Sequence, residues 1–252
     1  MGLLDNKVGL VTGGGMGIGR AICLTFAREG ARVVVADFNE ETGQETAQLI
    51  QAAGGEALFI KGDVSVEEQV ATTISAAVEK FGRLDIACNS AAVSRGSGPI
   101  HEYSKDIFDQ TLDLCLTNTW LCMKYEIPAM LAIGGGAIVN ISSNASLRGQ
   151  AHNTAYAAAK GGVNILTMSS AAEYGRQGIR INAVSPGVIR TPGLERYFEE
   201  QPKMEARMER SAVMHRLGEP QEIAEAVVFL CSERASFITG QILSVDGGMA
   251  VR

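Results

Sequence analysis

Val8-Gly-Leu-Val-Thr-Gly-Gly-Gly-Met-Gly-Ile-Gly19 begins as a short apolar run and turns through five glycines. It leads into Arg20 to Arg28, where Ile22, Phe26 and Ala27 fall on one helical side. A strand, a glycine-rich turn and a helix in that order place backbone N–H groups at a helix N-terminus, facing a phosphate. Glycine lets the backbone approach a pyrophosphate and lets the helix pack close to the strand. The spacing is G-x-x-x-G-x-G through Gly13, Gly17 and Gly19, with Met16 and Ile18 between them and Gly14 and Gly15 extra. The turn is therefore expected to cradle the phosphates of a dinucleotide.

The next apolar run, Ala31 to Ala36, ends in Asp37, with Phe38 following. An acidic residue closing the second strand, about 20 residues past the glycines, accepts both hydroxyls of an adenosine ribose and repels a 2′-phosphate. Met16 precedes Gly17 where a basic residue would offset that repulsion, so NAD is favoured over NADP. A solvated strand-end aspartate is the competing reading.

Farther along, Glu40 to Ala53 reads as a helix, Glu56 to Lys61 as a strand and Glu67 to Phe81 as a helix. Asp63 and Val64 lie where a loop at a strand's carboxyl end covers an adenine. Leu84 to Cys88 is a strand leading into Asn89-Ser-Ala-Ala92, whose small residues suit a backbone passing close to a cofactor, or plain tight packing. A long helical region, about Lys105 to Leu131, is followed by strands at Ala137 to Ile141 and Gly178 to Val184. The stretch from Gly193 to His215 is charged but interleaved with Met, Tyr and Phe, and reads as a mobile helical lid or as an amphipathic surface helix. Pro220 to Cys231 is a last helix and Gln241 to Val245 a last strand. Alternating strands and helices without linker or repeat predict one domain, residues 1–252, with a parallel sheet covered on both faces. Ligands of such sheets bind beyond the strands' carboxyl ends. Gly13 to Gly19, Asp37, Asp63, Asn89, Ser143 and Pro186 all fall there.

The bulk properties exclude several classes. A net charge of −6 leaves no basic footprint for nucleic acid. No stretch approaches 18 uninterrupted apolar residues, so no membrane span is expected, and Met1 to Lys7 is too short and polar for a signal peptide. The five cysteines are odd in number and widely spaced, with no C-x-x-C pair, and the three histidines are dispersed. Neither disulfides nor a metal site is expected, and a reducing cytoplasm fits best.

Within Thr154 to Tyr174, an Ala-rich apolar run expected to be helical, Tyr156 and Lys160 stand at i, i+4 and share a face. A nearby cation favours the phenolate, so Lys160 is expected to bring Tyr156 toward a useful acid–base range.

The combination of Thr12-Gly…Gly17-Ile-Gly19, Asn89-Ser-Ala-Ala92, Ser143, Tyr156-x-x-x-Lys160 and Ser185-Pro-Gly187 resembles the short-chain dehydrogenase/reductase family along essentially the whole chain. The resemblance implies an α/β fold, a Rossmann-type doubly wound seven-stranded parallel sheet, usually in a homotetramer. Together with Asp37 it points to NAD as cofactor, and to a small-molecule substrate, a secondary alcohol or ketone. Tyr156 would be the acid/base, Ser143 would hydrogen-bond the reacting oxygen, and Lys160 would hold the nicotinamide ribose and lower the phenol's pKa. Gly13, Met16, Gly17, Ile18, Gly19, Asp37, Phe38, Asp63, Val64, Asn89 and Ala91 would line the cofactor. Thr191, with Pro186, Gly187 and Val188, would grip the carboxamide and the ring face. Ser94, Asn144, Gln150, His152 and Asn153 would wall the substrate pocket, for a mainly apolar molecule with a second polar group.

Two positions depart from the family. Asn-Asn-Ala-Gly reads Asn89-Ser90-Ala91-Ala92, and the asparagine that usually completes a tetrad is Cys115. The family's residue acts largely through its main-chain carbonyl at a disturbed helical turn, so catalysis is expected to persist with a weakened relay, Asn118 partly substituting. A small buried residue at which nothing is lost is the competing reading. A 3-oxoacyl thioester reductase, which usually prefers NADPH, and a catalytically silent NAD(H)-binding sensor remain as alternatives; Asp37 speaks against the first, and Ser143, Tyr156 and Lys160 against the second.

Overall fold

The structure, a computed structural model, describes residues 2–251. Its strands are β1 (Val8–Thr12), β2 (Arg32–Asp37), β3 (Ala57–Lys61), β4 (Ile86–Asn89), β5 (Gly136–Ile141), β6 (Ile179–Pro186) and β7 (Ile242–Val245). They form one seven-stranded sheet in the order β3-β2-β1-β4-β5-β6-β7, every pair parallel. The helices are α1 (Gly17–Arg28), α2 (Glu40–Ala52), α3 (Glu67–Phe81), α4 (Lys105–Leu112), α5 (Asn118–Leu131), α6 (Thr154–Tyr174), α7 (Pro192–Glu200), α8 (Pro202–Glu209) and α9 (Pro220–Cys231).

Strand alternation builds two cores. Val11, Val33, Val35, Cys88 and Val139 face one way, under Ile22 and Phe26 of α1, Ile50 of α2 and Ile223 and Val227 of α9. Leu10, Val34, Ala87, Ile138 and Ile181 face the other, under Ile74 of α3 and Leu121 and Ile127 of α5. Both faces are covered, as the near-continuous apolar strands require. The expected doubly wound sheet is what is found. β1 sits between β2 and β4, so the winding reverses there and a crevice opens at the carboxyl ends.

Two regions show detail that the apolar pattern alone does not carry. The helical stretch from Lys105 to Leu131 is interrupted by a π-helical turn, Asp113–Thr117, closed by the Asn118 N–H on the Asp113 carbonyl. The stretch read as one lid is two short helices, α7 and α8, broken at Gln201-Pro202, where proline ends one helix and starts the next.

Candidate active site

The carboxyl ends of the strands open onto a cleft of about 720 Å³. At one end lies the glycine turn. Gly13 and Gly17 have φ of +66° and +55°, left-handed values that favour glycine. A Cβ on Gly19 would lie 2.0 Å from the Gly13 carbonyl oxygen, and one on Gly13 would lie 2.9 Å from Ala91 Cα. The turn is thus wedged between its own helix and the strand exit at Ala91, and Met16, Gly17, Ile18 and Gly19 face the cleft with Gly13 and Ala91.

Asp37 closes the adjacent wall. Its Oδ2 accepts from the Gly15 N–H at 2.8 Å and its Oδ1 from the Asn39 N–H at 2.9 Å, so the carboxylate is fixed in orientation while each oxygen keeps a lone pair for a further donor. Phe38, Asp63 and Val64 line the same end, with the Phe38 side chain largely exposed. Arg20 does not reach toward this corner as a free cation: its Nε donates to Gly15 O at 2.8 Å and its guanidinium pairs with Glu45.

At the far end α6 presents Tyr156 and Lys160, and the exit of β5 presents Ser143. Lys160 is buried and its Nζ donates to the Ile141 carbonyl at 2.7 Å, which pins the ammonium beneath Tyr156, 5.9 Å from the ring centroid. Burial pushes the lysine down to about 8. Burial also pushes the Tyr156 phenol up to about 12, the Ser143 hydrogen bond acting in the opposite direction and Cys115 with the burial. The expected lowering by Lys160 is not seen on the cleft as it stands: both groups lose solvent together, and desolvation disfavours phenolate and ammonium alike. The arrangement holds a protonated phenol, with the Ser143 hydroxyl beside it, at the edge of the cleft.

Cys115 lies in the π turn, buried, its Sγ–H donating to Val93 O at 3.3 Å. Burial raises its thiol, with Lys160 opposing. The disturbed turn is present, and Asn118, one turn on and lining the cleft, is hydrogen-bonded to the backbone around it. Its Nδ2 donates to Ala91 O at 2.7 Å and Leu114 O at 2.9 Å, and its Oδ1 accepts from the Thr119 N–H.

Several expected contacts fall elsewhere. Asn89 turns its side chain into the core, toward Glu126 and Asn140; its neighbours Ser90, Ala91 and Ala92 line the cleft instead. Pro186, Gly187 and Thr191 line it, but Val188 faces the adjoining cavity of about 320 Å³ with Met208 and Met214. Thr191 also caps α7, its Oγ1 accepting from the Leu194 N–H at 3.4 Å. Ser94, Asn144, Gln150, His152 and Asn153 do not line the cleft. They stand on two loops tied together through the His152 carbonyl, which accepts from Gly98 N and Ser97 Oγ, and Asn144 packs on Met249. Val93 also lines the cleft, as does Arg196 from the stretch expected as a lid. Arg196 is placed there only by the start of α7 at Pro192, a boundary that Pro192 itself signals.

The cleft's size and donors fit a dinucleotide. A glycine turn opens α1 at one end beside a fixed carboxylate, and a lysine and a phenol stand at the other.

A family model described as enoyl-(acyl carrier protein) reductase matches residues 13–250. A 2,5-dichloro-2,5-cyclohexadiene-1,4-diol dehydrogenase of Sphingobium indicum is 42% identical over 97% of this chain and 97% of its own. A cyclohexanol dehydrogenase of an Acinetobacter species is 42% identical over 96% of this chain and 94% of its own. A solved short-chain type dehydrogenase/reductase from Mycobacterium ulcerans superposes with a TM-score of 0.93 at 31% identity, covering 99% of this chain and 91% of that one. With the glycine turn, the Ser143–Tyr156–Lys160 cluster and the strand order already in place, this chain belongs to the short-chain dehydrogenase/reductase family of oxidoreductases.

Proposed function

We propose that the protein is an NAD(H)-dependent dehydrogenase/reductase that interconverts a cyclic secondary alcohol and its ketone. The observation that carries this reading is the single cleft joining Asp37 at one end to Ser143, Tyr156 and Lys160 at the other. The two relatives named for ring alcohols support the substrate class.

When bound, the nicotinamide supplies the position that accepts or gives the hydride. The chain's residues do the rest. The N–H groups at the start of α1 meet the phosphates, Asp37 takes the adenosine ribose hydroxyls, and Asp63 and Val64 flank the adenine. Thr191, Pro186 and Gly187 hold the carboxamide end. Lys160, anchored on Ile141 O, holds the second ribose. Ser143 donates to the substrate oxygen, and Tyr156 gives that oxygen a proton during reduction or takes one during oxidation. A phenol held near 12 is poised to give a proton. With NADH saturating, reduction is therefore expected to change little over roughly pH 6–7, below the lysine's value of about 8, while oxidation speeds up with pH. Positive charge on the oxidised cofactor beside Tyr156 would favour the phenolate that oxidation requires. The α7–α8 segment serves as the lid, and the chain works as a homotetramer in the cytoplasm. Five free, buried cysteines suit a reducing compartment.

The test is a panel of cyclohexanols and cyclohexanones with NAD(H) and NADP(H) in parallel. We expect turnover with NAD(H) preferred by about tenfold or more, since a 2′-phosphate would face the fixed Asp37 carboxylate. Tyr156→Phe is expected to lose about 10²–10⁴-fold in kcat while still binding NADH by fluorescence titration. NADP(H) preference would overturn the cofactor assignment and favour the thioester reductase. Binding without turnover across the panel would favour the silent sensor.

A further inference from the structure

Glu126 on α5 is closed off from solvent. Asn89 Nδ2 donates to its Oε2 at 3.1 Å and, with its other hydrogen, to Asn140 Oδ1 at 3.0 Å. Asn140 Nδ2 passes on to Thr167 Oγ1 at 2.9 Å. Both amide hydrogens of Asn89 are thus committed, yet two acceptors on the same pair of side chains are buried without a donor: Glu126 Oε1 and Asn89 Oδ1. An ionised glutamate here would be an unpaired buried charge beside a bare carbonyl oxygen, the costly arrangement that native cores avoid.

One proton removes both defects. We propose that Glu126 is a neutral carboxylic acid in the folded protein, its Oε1–H donating to Asn89 Oδ1. Each side chain then donates once to the other and accepts once, a closed acid–amide pair that positions the cofactor cleft.

The positioning follows from what the pair joins. Asn89 ends β4, and the next three residues line the cleft. Two turns before Glu126 on α5, Asn118 donates to Ala91 O. The helix therefore grips the strand exit at two points, and through Asn140 and Thr167 the grip reaches β5 and α6, the helix that carries Tyr156 and Lys160.

The ionisable groups around Glu126 offer it no countercharge. Cys88 on β4 and Cys122 on α5 are thiols that burial keeps neutral. β5 and α6 present the neutral Asn140 and Thr167. Glu67 of α3 pairs with Lys124 and Tyr125 on the exposed side of α5. Burial accordingly pushes the Glu126 carboxyl up to about 7, against the Asn89 hydrogen bond. The unfolded chain releases this proton near the ordinary glutamate value of about 4.3, so the folded state holds it more tightly. The stabilisation is complete below the unfolded value and is lost as pH rises toward about 7.

Glu126→Gln copies the neutral pair without titrating. The expected result is equal melting temperatures at about pH 4.5, with the variant gaining on the wild type as pH rises to about 7 and holding that lead above it. Infrared spectra of the wild type at about pH 6 should show a protonated carboxylic acid stretch that fades by about pH 8.5 and is missing from the variant. NADH titrations at the same two values should show wild-type affinity weakening about two- to fivefold relative to the variant; the comparison cancels the titration of Lys160, common to both. A variant less stable at every pH, or a melting gap that ignores pH, would mean that Glu126 is ionised. Should the variant not fold, the wild-type infrared band decides alone: its absence overturns the neutral acid. An NADH affinity ratio that does not change with pH overturns the positioning role.

Discussion

Cys115 stands where the family resemblance leads one to expect an asparagine. Its Sγ–H donates to Val93 O, the kind of bond an amide would make more strongly. Restoring asparagine should tighten the π turn against the loop at Val93 and strengthen the relay to Lys160. Cys115→Asn is expected to raise kcat about two- to tenfold, from roughly 0.5–1.5 kcal/mol of added hydrogen bonding, and to shift the pH profile of oxidation. Steady-state kinetics across pH check this, and an unchanged rate and profile would make Cys115 a mere filler. Residue chemistry was the most legible level of the sequence. Tyr156, Lys160, Ser143 and Asp37 are recognisable because their chemistry and spacing leave few other uses. Asn89 was not, because whether a strand-end side chain faces cleft or core depends on register. A one-residue step reverses the face, and Asn89 pairs with Thr12 and Asn140 in a register that turns it inward.

The glycine turn and α1 act as one element. Gly19 has no room for a side chain, because the Cβ would meet a main-chain oxygen at 2.0 Å rather than the end of a flexible side chain. Gly19→Ala must therefore lift α1 away from β1 or open the turn, at a cost of about 1–3 kcal/mol. It should also displace the N–H groups that meet the phosphates. A lower melting temperature together with at least tenfold weaker NADH binding is expected; normal binding in a destabilised variant would separate packing from phosphate recognition. The element boundaries were readable where periodicity and punctuation agree: α3, α6 and α9 begin and end as the sequence predicts. The π turn was expected only through the family resemblance and not from the pattern, since one extra residue in a helix barely alters apolar spacing over so short a stretch.

At the scale of the whole molecule, two groups of exposed apolar side chains stand out among the described residues. Phe108, Trp120, Ile165 and Met168 are exposed on α4, α5 and α6; Leu243 is exposed on the edge strand β7, and Phe237 a few residues before it. Phe237 is 102% exposed, and an aromatic side chain presented this way is suited to anchor an interface. These surfaces were hidden in the sequence because apolar and polar residues are mixed around α6 rather than sorted to one face, so the pattern alone does not say which residues the sheet leaves uncovered. Two distinct self-complementary faces are what a dihedral tetramer needs, each making one kind of two-fold contact. A charge on either face should break only its own contact. Ile165→Asp and Phe237→Asp are each expected to give dimers by light scattering, and the double variant monomers. Two dimers of different build would fit the dihedral arrangement. A tetramer that survives both changes, or a wild type that is monomeric at micromolar concentration, would remove these faces from the assembly and leave their exposure to be explained by the lid or another partner.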